Sequence, residues 1–155
     1  MPAEAVYLQT VAAWLRVGRR VDAVARVLLL ATLLTVAAWV RWPPAGSSGW
    51  TLALLGLSVL TGLVHCVYAA RVQFDADLFA QAAVQSRASD ATEARQHLDQ
   101  ALLQLGLLPP AKVGRDWQLR VDGARRLLRR QCQWHLAQWL AFAAALLCAV
   151  AIPWR

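Results

Sequence analysis

Residues 50–70 read WTLALLGLSVLTGLVHCVYAA, and the class of the fold turns on them. No Asp, Glu, Lys or Arg interrupts the run, and His65 is its one group that titrates near neutral pH. A helix rising ~1.5 Å per residue crosses a ~30 Å hydrocarbon core in about 20 residues. A buried helix of a soluble bundle of this length carries a polar face. This stretch has almost none, so it reads as a transmembrane helix.

Two further blocks share its character. Residues 23–42 are apolar apart from Arg26, whose long side chain near a helix end can snorkel to the headgroups. Residues 134–154 lie between Arg130 and Arg155. The chain is 59% hydrophobic and 16% charged, where soluble domains carry about 45–50% and about 25%. The expected fold is an all-α membrane protein of three transmembrane helices with a small cytoplasmic helical cap. Its segments are an N-terminal amphipathic cytoplasmic helix at 1–22, a first span at 23–42, a short outside turn at 43–49 and a second span at 50–70. A cytoplasmic helical segment follows at 71–133, then a third span at 134–154. The first span does not read as a cleaved signal peptide, because a long segment precedes it and no small-residue cleavage site follows. The turn PPAGSSG at 43–49 joins the first two spans as a tight hairpin. Trp39, Trp42, Trp50 and Trp154 lie near span ends, where amphipathic rings favour the interface.

Sidedness follows from charge. Arg16, Arg19, Arg20 and Arg26 precede or open span one, and ten more Lys or Arg residues lie between spans two and three, against Arg41 and Arg155 on the other face. The split is 14 to 2. The positive-inside rule then places the N-terminus and the long loop in the cytoplasm and the hairpin and C-terminus outside. Lys112 is the only lysine. With the Ala and Leu excess, this skew suggests a GC-rich bacterial genome, and the bacterial inner membrane is the expected location.

Within the cytoplasmic parts, Tyr7, Val11, Trp14, Gly18 and Val21 follow one helical face. That face suits either the membrane surface or the protein's own loop. Asp90 and Glu93 resemble a capping pair for a helix with Leu98, Ala101, Leu102 and Leu105 on its apolar side. Gly106 and Pro109-Pro110 end that helix. Asp116 caps a last helix whose apolar line runs through Val121, Ala124, Leu128 and Cys132.

Arg125, Arg126, Arg129 and Arg130 form two adjacent rows, each pair four apart, directly before span three. They are expected first as the topological lock on that span, and then as contacts to anionic lipid headgroups or a partner, at ~1 kcal/mol each. Nucleic acid is not an expected partner, since no aromatic interleaving or reader module accompanies the cluster. Ser58, Gly62, Cys66 and Ala70 on span two, and Ala137, Ala141, Ala145 and Ala149 on span three, form ridges at spacing four. Such small-residue ridges suit close helix packing, with each other or with another subunit.

His65 and His135 sit at similar shallow depth in antiparallel spans. Ionisable groups at membrane depth are functional suspects, and a facing pair suggests a haem or metal. No HExxH motif or second histidine pair accompanies them. Asp75 and Asp77 are two apart and face different ways on a helix, as a solvated polar face. His97 and Glu93 form a surface pair. Cys66, Cys132 and Cys148 offer no disulfide or metal spacing and read as buried packing thiols. No nucleophile elbow or phosphate loop is present. The expected function is therefore a non-catalytic accessory, scaffold or assembly subunit of a membrane complex, without a cofactor and with a membrane-protein partner or a second copy. The alternatives are a redox, metal or haem protein using His65 and His135, and a holin-like pore former. A three-span phage holin is similar in size, but the orientation and the substantial middle segment fit it poorly.

Overall fold

The computed structural model describes residues 2–43, 49–88 and 91–151. Five α-helices account for nearly all of them: α1 (Pro2–Leu15), α2 (Val17–Arg41), α3 (Gly49–Ala88), α4 (Ala91–Gln104) and α5 (Trp117–Ala151). No strand occurs among the described residues. Three helical stretches, Ala3–Arg41 through α1 and α2, Gly49–Arg87 in α3 and Trp117–Ala151 in α5, are long and apolar enough to cross a membrane. Residues 44–48 of the turn expected at 43–49, the expected cap at Asp90, and Trp154 and Arg155 lie outside the described residues.

Local chemistry accounts for the helix limits. Pro2 opens α1 and Glu4 stands in its first turn, both favourable to a helix N-terminus. The expected helix at 1–22 is in fact two pieces, because α1 ends at Leu15 and α2 begins at Val17. α4 closes on Gly106, whose φ of +67° is the left-handed conformation that glycine tolerates. There the Gly106 N–H donates to Leu103 O at 3.0 Å and the Leu107 N–H to Leu102 O at 2.9 Å, a Schellman closure. The Asp116 carboxylate accepts the Trp117 N–H at 2.8 Å as α5 starts.

The chain divides into two compact units. One comprises Met1–Gly18 and Arg71–Leu128, the other Arg19–Ala70 and Arg129–Arg155. The first has an apolar core. Leu8, Ala12 and Leu15 of α1 meet Val72, Ala76, Phe79 and Ala83 of α3 and Trp117, Val121 and Ala124 of α5. Alternating steps of four and three keep each set on one stripe, the spacing of left-handed helix packing. α1 is therefore packed on the protein's own loop segment. Its inner line is Ala5, Leu8, Val11, Ala12 and Leu15; of the face expected for it, Val11 and Gly18 are buried while Tyr7 and Trp14 face outward. The expected face is met only in part because α1 is apolar nearly all round, and periodicity then gives little direction.

The second unit reverses the usual distribution of polarity. Thr32, Ser58, Thr61, His65, Gln131 and Gln138 are buried in it. Val27, Leu30, Leu34, Leu60, Leu63, Leu140 and Leu147 are exposed. Polar groups inside and large apolar groups outside suit a hydrocarbon surrounding, where polar side chains must find partners between helices.

Candidate functional site

The polar interior of the second unit is the first candidate. Ser58 on α3 donates to the Gln138 backbone carbonyl on α5 at 3.2 Å, and its hydroxyl lies 3.3 Å from that of Thr32 on α2. The Gln138 side-chain amide donates to Ala25 O at 3.3 Å. Gly62 makes room for that amide, since a Cβ there would lie 2.7 Å from Gln138 Nε2. All three helices are thereby linked through polar atoms.

One end of this interior holds the two histidines. Their ring centroids are 5.4 Å apart. His65 is fully buried, its Nδ1 is 3.1 Å from Gln131 O and its Nε2 is 3.8 Å from an Asp22 carboxylate oxygen. A carbonyl only accepts, so Nδ1 carries the proton and Nε2 of neutral His65 is a lone-pair acceptor. The Trp139 indole N–H donates to His135 Nε2 at 3.1 Å. By the same logic neutral His135 carries its proton on Nδ1. His65 Nε2 and His135 Nδ1 are both buried without a hydrogen-bond partner. In these tautomers the first of those atoms is an acceptor and the second a donor. They do not present two lone pairs to a metal: His135 would have to release Trp139 first, since moving its proton to Nε2 would set two N–H groups against each other. Among the described residues no three His, Cys, Asp or Glu side chains are grouped to hold a metal ion.

Sequence reasoning missed Asp22 and Gln131. Asp22 is buried and forms an ion pair with Arg26 one turn on, so Arg26 has a partner as well as a long stem for snorkelling. Gln131 and Gln138 are seven residues apart and occupy one heptad position. That spacing, in a segment read for apolar content, was the available signal.

The two ridges are brought together only in part. Ser58 and Gly62 face inward, but Cys66 is half-buried and Ala70 exposed, and the inner line continues through His65 and Ala69. Ala141 and Ala145 are buried, while Ala137 and Ala149 are half-buried and Gln138 takes the inner position. A strict spacing of four drifts off the contact stripe, whereas alternation of four and three stays on it. The same drift explains the last helix, where Gln131 and not Cys132 follows Leu128 inward, leaving Cys132 exposed. Cys66 and Cys148 are only half-buried, so the expectation of buried packing thiols is corrected for all three cysteines.

Arg125, Arg126, Arg129 and Arg130 are all exposed. Arg125 lies 3.8 Å from Asp122 and its guanidinium stands 5.9 Å from the Trp14 ring centre.

The first unit contains a cavity of about 380 Å³ walled by α3, α4, α5 and the 107–115 segment. Asp99 is buried beside it, ion-paired with Arg120 and accepting the Gly114 N–H at 2.8 Å. Gly114 has a φ of +74°, which frees that N–H for the carboxylate. Asp75 lines the cavity, and burial pushes its carboxyl up to about 6. It is thus half-buried in a largely apolar wall, contrary to the solvated face expected of it; Asp77 is exposed.

No protein-family model matches the chain, and no curated protein or solved structure is significantly similar to it.

Proposed function

We propose that this chain is a non-catalytic assembly or scaffold subunit of a membrane protein complex, in the bacterial inner membrane with its N-terminus in the cytoplasm and its C-terminus outside. The observation that carries the reading is the outer side of α1. Its inner side fills the core of the first unit, yet Val6 is 57% exposed, Tyr7 39% and Trp14 44%. A helix apolar on both sides calls for a cover on both, and exposed apolar patches of this kind mark interaction surfaces. The polar groups of the second unit support the same reading, since most of them are engaged in joining three helices.

The test is photocrosslinking in gentle detergent from positions 7 and 14. A discrete crosslinked membrane-protein adduct, or a dimer of this chain, is the expected product. Crosslinks to lipid alone would replace the reading with a helix seated on the membrane surface. The redox or metal alternative requires His135 to release Trp139. A stoichiometric haem or metal in the purified protein, lost in His65→Ala, would establish it.

A further inference from the structure

The assembly role proposed above makes no use of the cavity of the first unit. At about 380 Å³ it falls within the range of small-molecule sites, which run from about 300 to 1,000 Å³. Most of its wall is apolar, with Leu78, Phe79, Leu102 and Leu127 among the lining side chains. The polar lining is mainly donor. Lys112 and Arg115 have no acidic partner among the described residues, and the Trp117 indole N–H is buried without an acceptor although the residue is only 4% exposed. Arg120 is already neutralised by Asp99. We propose that the cavity binds a single-chain anionic amphiphile, with its tail against Leu78, Phe79, Leu102 and Leu127 and its carboxylate or phosphate head at Lys112 and Arg115.

Asp75 is the one carboxylate in the wall and the feature that works against an anion. Its raised titration point lessens the conflict, because the neutral acid repels no anion and can donate a hydrogen bond. Lys112, Arg115 and the Arg120–Asp99 pair are the charged groups that share the site with it. Binding of an anionic amphiphile should therefore weaken as pH rises through about 6, and Asp75→Asn should remove that dependence.

The experiment uses the full chain in amphipol, with a dibrominated long-chain fatty acid as a quencher of tryptophan fluorescence. Saturable quenching is expected, with a large part of it lost in Trp117→Phe. Gly123 lines the cavity, and a Cβ there meets nothing within 4 Å. Gly123→Leu should thus fill the chamber while leaving the helix intact, and weaken binding about tenfold or more. Lys112→Ala with Arg115→Ala should weaken the acid by about tenfold while leaving a brominated alcohol unchanged. Displacement by an unlabelled fatty acid assigns a carboxylate head, and displacement by lysophosphatidic acid a phosphate. Quenching that does not saturate, that is unchanged in Gly123→Leu with an unaltered helical spectrum, or that is equal for acid and alcohol, overturns the proposal.

Discussion

The side-chain amide of Gln138 donates to the backbone carbonyl of Ala25 3.3 Å away, and so ties α5 to α2. It can do so because Gly62 on α3 leaves the amide its space. Gly62→Ala should displace the amide from Ala25, and Gln138→Leu should remove it. Each loss is expected to cost about 0.6–2 kcal/mol in lipid or detergent. The two should be markedly non-additive, because they break one contact. Strictly additive losses in unfolding measurements would show that the contact contributes nothing.

In the first unit, Asp99→Ala leaves Arg120 and the Gly114 N–H without their shared acceptor. Removing one member of a buried pair costs about 3–5 kcal/mol. Asp99→Asn keeps an oxygen for Gly114 and should lose less. Thermal unfolding of the full chain checks the order, and an Asp99→Ala protein as stable as the parent would contradict it.

Asp75 gives a pH dependence with a defined sign. Its folded titration point, about 6, lies above the ordinary value for the unfolded chain, ~3.9. The neutral acid is therefore favoured by folding. That contribution is fully present below the ordinary value and is lost as pH rises through about 6. Asp75→Asn should flatten stability between about pH 4 and 6 and raise it at neutral pH. A parent protein whose unfolding midpoint does not fall across that window would refute this.

Topology is tested by cysteine labelling in a cysteine-free background. Ser47→Cys is expected to react with an impermeant reagent in intact cells and Ser89→Cys only after lysis. Labelling at Ser89→Cys from outside would invert the orientation.

Changing Arg125, Arg126, Arg129 and Arg130 together to Gln should disturb the insertion of span three and weaken contact with anionic lipid. At ~1 kcal/mol per charge near an anionic leaflet the effect is large if all four reach headgroups. Proteoliposomes of neutral and anionic composition, probed at low and high salt, measure the lipid part. Indifference to both would leave these arginines as orientation signals alone.

Helical class and the three apolar stretches followed from composition alone. An uncharged run such as 50–70 can satisfy its backbone in hydrocarbon only as a helix, whatever it packs against. The stop at Gly106 was equally legible, because it depends on the φ of a single residue. Inner faces were not. In α1, where nearly every residue is apolar, Tyr7 and Leu8 compete equally for the core, and only the neighbours on α3 and α5 decide for Leu8. The pairing of His65 with His135, the burial of Asp22 against His65, and the cavity beside Asp75 and Trp117 were equally out of reach. Each joins residues tens of positions apart, so each depends on how the helices rotate about their own axes. That rotation is set by the sum of contacts across the bundle, which tertiary structure alone supplies.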